Sequence, residues 1–334
     1  MSPKDTPPPT AAHEMLESVI AVCLATCEAP PELLAAQLRS LRAQAGVAWT
    51  CLVDDDASSP AGRAVLLEAV GADGRFDVVE HDDRVGAYRN FERCLARVPP
   101  GAEAVALCDQ DDVWHPDKLA TLSAALSAPG VTLAFSDVRV VATDGTLLSP
   151  TYWVDRDRGH DDLAALLATN VVTGAAALVR RDVLDVALPF PPEVDGAFHD
   201  HWLACVALAL GELAYVERPL MDYVQHDANV VGHARRRARG DAASAEPLRV
   251  RAARDRERHV LRPQAFARAL LERCGGTMAP ARRRAAERLA RGDGSARGLG
   301  AILAGAFAEQ LAPRRTLEAR RRAARGALLG RRAR

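Results

Sequence analysis

Ala104-Val-Ala-Leu-Cys-Asp-Gln-Asp-Asp-Val-Trp114 decides how the chain is to be read. Its first five residues are a short apolar run with the length of a buried strand, and they end abruptly on acids. The same pattern recurs upstream. Ser18-Val-Ile-Ala-Val-Cys-Leu24 and Val47 to Val53 read as strands, the second closing on three aspartates, and Phe76-Asp-Val-Val79 reads as a third. Between them lie segments of helical spacing. Pro31 suits a first helical turn and is followed by Leu33, Leu34, Leu38 and Leu41. Ala61 to Val70, Tyr88 to Val98 and Pro116 to Leu126 complete the set, and Val131 to Val141 is strand-like. Strands alternating with helices predict an α/β fold, a Rossmann-like mixed sheet with helices on both faces. Such sheets bind ligands at the carboxyl ends of their strands, where both acidic clusters fall.

After Val141 the alternation loosens. Leu163 to Leu167 and His201 to Leu210 read as helices, Ala175 to Val179 as a strand. Beyond His233 come Arg- and Ala-rich helical segments broken by Gly275-Gly276, Pro280 and Gly292 to Gly294. The expected division is a disordered leader over 1–17, a catalytic domain over 18–233 and an Arg-rich helical region over 234–334.

The 334 residues are 49% hydrophobic but only 4% aromatic, so the core must be built from Ala, Val and Leu. A net charge of −1 conceals a polarised chain: residues 235–334 hold 27 Arg against 9 acids, while residues 1–234 hold 16 basic and 35 acidic groups. A tail of that sign suits an anionic membrane surface, or a cap docked on the acidic remainder. Nucleic acid is not expected, because no recognition module or aromatic platform accompanies the arginines. The 7 cysteines form no CxxC pair and mostly lie in apolar runs, which reads as free thiols in a reducing compartment. Residues 1–17 are polar and carry Pro7-Pro8-Pro9, unlike a signal peptide. Trp202 to Val216, the longest apolar stretch, is interrupted by Glu212 and too short to span a bilayer. The expectation is a cytoplasmic protein, peripheral at most at the inner face of the membrane.

Four clusters carry candidate chemistry. Asp54-Asp-Asp56 ends the second strand; its crowded carboxylates call for hydrogen-bond donors or a cation, unless they form a solvated turn. Asp109 and Asp111 lie two apart just past a buried strand, an arrangement for a hard divalent ion or an acidic turn before a helix. His199-Asp-His-Trp202 opens an apolar helix, so Asp200 is either an N-cap or a general base. His226 is either a metal ligand or a satisfied polar residue on a loop. Arg89 would pair with a phosphate or with Asp82 and Asp83, and Thr173-Gly174 would admit a substrate to the backbone or form a plain turn.

At these residues the chain resembles the family-two glycosyltransferases, in particular their rhamnosyltransferase-like branch. The pieces that match, in the family's order, are Ala25-Thr26, Asp55-Asp-Ala-Ser-Ser59, Gly86-Ala-Tyr-Arg-Asn-Phe91, Asp109-Gln-Asp-Asp-Val-Trp114 with Pro116-Asp-Lys-Leu119, Asn170-Val-Val-Thr-Gly174, His199-Asp200 with Trp202, and Gln225-His226 with Asn229-Val-Val-Gly232. The resemblance implies a GT-A fold and an inverting transfer from a nucleotide-sugar donor to a glycan or lipid-linked acceptor in surface polysaccharide synthesis, with Mg²⁺ or Mn²⁺. It also implies roles: Thr26, Asp55, Asp56, Arg89 and Asp109 toward the donor nucleotide, Asp111 and His226 toward the metal, and Asp200 as general base. Asn170, Thr173, Gly174, His199 and Trp202 would line the sugar and acceptor pocket. The chain departs from the family where Cys27-Glu28 replace a usual Tyr-Asn pair, where Asp54 adds a charge near the phosphates, and where His201 stands in a usually aromatic position. Two other classes stay open. A sugar nucleotidyltransferase would need a Gly-rich basic loop after the first strand, where Thr26-Cys-Glu-Ala-Pro-Pro31 has neither Gly nor Lys; a non-catalytic nucleotide-sugar binding protein would not need Asp200.

Overall fold

The computed structural model of the chain describes residues 19–152, 160–194, 198–226 and 257–291. Its centre is a seven-stranded sheet of order β10-β6-β9-β4-β1-β2-β3. The strands are β1 (Ile20–Thr26), β2 (Trp49–Asp55), β3 (Phe76–Glu80), β4 (Ala104–Cys108), β6 (Val131–Ser136), β9 (Ala177–Arg180) and β10 (Glu212–Val216). All neighbours are parallel except β9, which runs against both β4 and β6. The order reverses between β1 and β4, and the crevice at their carboxyl ends is where such sheets hold ligands.

Each central strand is buried on both faces, and the period of two divides its side chains between two cores. Ala21 and Cys23 of β1, with Val105 and Leu107 of β4, face one cluster; Ile20, Val22 and Leu24, with Ala104, Ala106 and Cys108, face the other. Helices α1 (Pro31–Arg42), α2 (Pro60–Val70) and α4 (Lys118–Leu126) cover the second face. The first is covered by α3 (Ala87–Ala96), α5 (Leu163–Ala168), α7 (His199–Leu210) and the C-terminal pair α8 (Arg262–Cys274) and α9 (Pro280–Ala290).

A smaller sheet, β5-β11-β7-β8, joins β5 (Val113–Trp114), β7 (Arg139–Ala142), β8 (Leu147–Ser149) and β11 (Met221–Gln225). The predicted strand over Val131 to Val141 is therefore two strands in two sheets. Asp137 divides them: its carboxylate accepts from the Val138 amide and from Thr151 and the Tyr152 amide, which turns the chain out of the main sheet. Gly211 divides the apolar stretch Trp202 to Val216 into α7 and β10, and a Cβ there would fall 2.5 Å from the Gly130 carbonyl. The predicted strand at Ala175 starts only at Ala177, after a 3-10 turn over Gly174–Ala176. The helix predicted from Pro116 starts at Lys118, and that predicted from His201 starts at His199.

Residues 257–291 belong to the region predicted as a separate Arg-rich appendage, yet Phe266, Leu270 and Leu289 share one core with Trp202 and Leu203 of α7. The leader 1–17, residues 234–256 and 292–334 of the tail, and the Asn229-Val-Val-Gly232 motif lie outside the described residues. Among the described residues, no helix is long and apolar enough to cross a membrane.

Candidate functional site

The carboxyl ends of β1, β2 and β4 lie side by side on one edge of the main sheet. After β2, each of the three aspartates has its own set of partners. Asp54, fully buried, pairs with Arg97 and with His81 Nε2 at 2.8 Å, so its charge is compensated on the α3 side of the sheet. Asp55 accepts from Thr26 Oγ1 (3.1 Å), Ser58 Oγ (2.6 Å) and the Ser58 amide (2.9 Å). Asp56 accepts the Val85 and Gly86 amides, both at 2.8 Å, and so fixes the N-terminus of α3; Gly86, with φ of 81°, makes the entry turn. Thr26, Asp55 and Asp56 are 2, 1 and 3% exposed. Thr26, Asp55 and Asp56, the residues expected at the donor nucleotide, shape the loop through these bonds, while the partly exposed Cys27 and the exposed Arg84 stand at its surface. Glu28, in the left-handed region at φ 45°, bonds the Ser59 amide (2.6 Å) and closes the loop onto the start of α2.

After β4, the Gln110 side chain accepts from the Cys27 amide (2.8 Å) and donates to the Cys27 carbonyl (3.2 Å), tying the β1 and β4 loops together. This lifts Asp109 and Asp111 to the rim. Burial first, then the charges of Asp111 and Asp200, pushes Asp109 up to about 7. His226, at the end of β11, approaches Asp111 with Nε2 2.7 Å from Oδ2, although 115 residues separate them in the chain. Among the described residues no group of three His, Cys, Asp or Glu is arranged as a self-sufficient metal cage. A carboxylate and an imidazole at contact distance nevertheless fit Mn²⁺ or Mg²⁺ in a site completed by substrate phosphates, because such ions are held by one or two protein carboxylates plus phosphate oxygens.

Across the crevice, Asp200 lies in the first turn of α7, partly buried. Its Oδ1 accepts from Asn170 Nδ2 (3.0 Å) and the His201 amide (2.6 Å); its Oδ2 accepts from the Gly174 amide (3.1 Å). Asn170 is itself oriented by the Val172 amide (3.0 Å). Burial raises the Asp200 carboxyl to about 6, opposed by these bonds and by Arg262. His199 stacks on Phe91 with centroids 3.7 Å apart, and burial lowers it to about 3, so the ring is neutral at pH 7. Thr173 accepts the Ala176 amide on its carbonyl and starts the 3-10 turn that aims Gly174 at Asp200. Asn170, Thr173, Gly174, His199 and Asp200 are thus one cluster.

Two expected site residues are not brought there. Trp202 has no exposure; its Nε1 donates to the Ala187 carbonyl (2.9 Å) and its ring packs on Phe266, because two positions along α7 from Asp200 is the opposite face. Arg89 is held by Glu92 (2.5 Å) and by the Pro191 carbonyl (3.1 Å), and not by Asp82 or Asp83. His201 turns inward to the Leu166 carbonyl (2.6 Å). Asp112 and Lys118, motif residues with no expected role, are both fully buried beneath the β4 loop. Their signal was a lysine four residues before Leu122, on the apolar stripe of α4.

The fold that carries these residues is that of the GT-A glycosyltransferases. The crystal structure of Staphylococcus aureus TarS 1–349 in complex with UDP-GlcNAc matches with a TM-score of 0.55 at 13% identity, over 81% of this chain and 70% of that one. The UDP complex of the same protein matches with a TM-score of 0.51 at 13% identity, over 85% and 89%. Residues 21–187, half of the chain, match the family described as glycosyl transferase family 2, and the chain belongs to that family. Over 114 residues it is 27% identical to TuaG of Bacillus subtilis (strain 168), named as a teichuronic acid biosynthesis glycosyltransferase; the match covers 34% of this chain and 44% of TuaG, less than half of that relative's length.

Proposed function

We propose that the chain transfers a sugar from a nucleotide-sugar donor to a hydroxyl of a glycan or lipid-linked acceptor, with inversion, in the synthesis of a cell-surface polysaccharide. The observation that carries this reading is the pairing across one crevice of Asp111 with His226 and of Asp200 with the Asn170 and Gly174 donors. Family membership supports the reaction class, and the name of TuaG supports the polysaccharide context.

Asp200 takes the acceptor proton on the oxygen that carries only the Gly174 bond, which leaves that oxygen a free lone pair. The acceptor oxygen then forms its bond to the anomeric carbon as the bond from that carbon to the diphosphate breaks, on the far face. Asp111 and His226 would hold a divalent ion, which when bound would supply charge neutralisation for the departing diphosphate. Neutral His199 and Phe91 wall the sugar side without adding charge. Rhamnose on a dTDP carrier is the donor that the branch resemblance favours. The exposed arginines of α9, Arg284 and Arg288, suit peripheral contact with anionic lipid at the inner face of the membrane.

The test is a screen of UDP-, dTDP- and GDP-sugars for binding and slow nucleotide release with Mn²⁺, with Mg²⁺ and with chelator. Metal-dependent release from one donor is expected. No binding to any of them by folded protein with metal present sinks the reading. Equal binding to neutral and anionic liposomes, or none, sinks the membrane contact.

A further inference from the structure

Beneath the crevice lies a buried acid and lysine that the transfer chemistry leaves unused. Asp112 Oδ1 accepts the Val224 amide at 3.3 Å, two residues before His226 on β11, and its Oδ2 is buried without a hydrogen-bond partner. Lys118 is enclosed at the start of α4. Its Nζ donates to the Ala175 carbonyl at 2.5 Å and lies 2.9 Å from the centroid of the Trp114 ring. Burial pulls the lysine well below its ordinary range, against the charges of Cys108, Asp112 and Asp109. Burying a lysine is costly unless partners compensate, and here the Ala175 carbonyl and the nearby Asp112 do so.

The two anchors differ in what they reach. Asp112 is fastened to the strand that delivers His226. Lys118 is fastened to the residue after Gly174, whose amide holds Asp200. The Gly174–Ala176 turn is cramped, since a Cβ added to Gly174 would fall 2.9 Å from Asp200 Cβ and 3.0 Å from His199 Nε2, and Lys118 ties it from beneath.

We infer that Lys118 is a positioning residue for the transfer: anchored on Ala175 and balanced by Asp112, it fixes the Gly174–Ala175 turn and through it the orientation of the Asp200 carboxylate. This rests on the reading of Asp200 as the base. The lysine touches neither donor nor acceptor, and its effect is carried through one backbone turn.

The test compares Lys118→Met, which keeps side-chain length and removes the donor, with the double variant Asp112→Asn/Lys118→Met, which also removes the unbalanced acid. Nucleotide release is followed on the donor that the wild type turns over, donor affinity by calorimetry with Mn²⁺, and kcat as a function of pH. A drop in kcat of roughly 10- to 100-fold with donor affinity unchanged is expected in both variants. The acid limb of kcat should move to higher pH, because a loosened Gly174 amide stabilises the Asp200 carboxylate less. The other groups facing Asp200, namely Asn170, the His201 amide, Arg262 and Asp109, are the same in all three proteins. A folded double variant with wild-type kcat and acid limb overturns the inference, since Lys118 then only balances Asp112. If the single variant does not fold, the double variant decides. If the wild type itself releases no nucleotide, the transferase reading fails separately. The link is then read from hydrogen exchange at the Gly174 amide, which must lose protection in the double variant.

Discussion

Gly174 and Asp200 are in contact twice: the amide of one donates to the carboxylate of the other at 3.1 Å, and a Cβ added to Gly174 would fall 2.9 Å from Asp200 Cβ. The same added atom would lie 3.0 Å from His199 Nε2. Gly174→Ala should therefore push α7 and its carboxylate outward at a stability cost of about 1–3 kcal/mol. Because a misplacement near 1 Å costs on the order of 100-fold, kcat should fall by about that factor while donor affinity holds. Thermal melting and steady-state kinetics on the one variant check both halves; unchanged kcat removes the steric argument.

Asp200→Asn keeps the Asn170 neighbourhood but cannot take a proton. Turnover should fall by about 10²–10⁴-fold with donor binding retained. In the wild type the base works deprotonated, so kcat should climb with pH and level off above an apparent pKa near 6, the value to which burial lifts this carboxyl. A pH-independent kcat between 5 and 8 contradicts the assignment.

Asp111→Ala and His226→Ala should each abolish the dependence of donor binding on Mn²⁺, weakening affinity at least tenfold. Calorimetry with and without chelator is the measurement. A variant that still responds fully to Mn²⁺ places the ion elsewhere.

The crowded acids also predict how stability follows pH. Asp109 and Asp200 titrate in the folded chain near 7 and near 6, above the ordinary carboxylate value of about 4. Their stabilising contribution is complete below about pH 4 and is lost as pH rises through 6 and 7. Asp73, which Arg75 holds well below the usual range, already contributes fully above about pH 4 and does not mask the trend. His199 and His201, buried neutral, oppose this below about pH 6.5, so in chelator the melting temperature should fall from pH 6.5 to pH 8, and Mn²⁺ should flatten the decline. A rising melting temperature in chelator contradicts the electrostatics.

Arg89→Ala should leave donor affinity unchanged and lower stability by about 1 kcal/mol, because its partners are Glu92 and the Pro191 carbonyl. Isothermal titration and a melt distinguish this from a phosphate-binding arginine.

The central strands were legible because a strand buried on both faces is an unbroken apolar run, and the helices because their leucines repeat at helical spacing. The acids at strand ends were legible as a place. Their individual duties were not: nothing in three adjacent aspartates tells that Asp54 points to Arg97, Asp55 to Ser58 and Asp56 to the Val85 amide, since alternation along a strand end sends them to different faces. Trp202 failed for the same reason in helical form, two residues being half a turn. The short strands β5 and β8 and the pairing of β11 depend on partners far along the chain and leave no local periodicity. His226 is the opposite case, a loop residue of little local character that long-range folding delivers to Asp111.

The shared core of α7 and α8 has a genetic meaning. Every predicted site residue lies before position 227, so the part of the gene after it looks dispensable. Yet Phe266 packs against the ring of Trp202, and Arg273 holds the Ala187 carbonyl behind it. A nonsense mutation between codons 227 and 257 would leave the chemistry fully encoded and the helix that carries Asp200 bare on its inner side. Such an allele should behave as a null, and supplying the missing segment as a second polypeptide should complement it in trans.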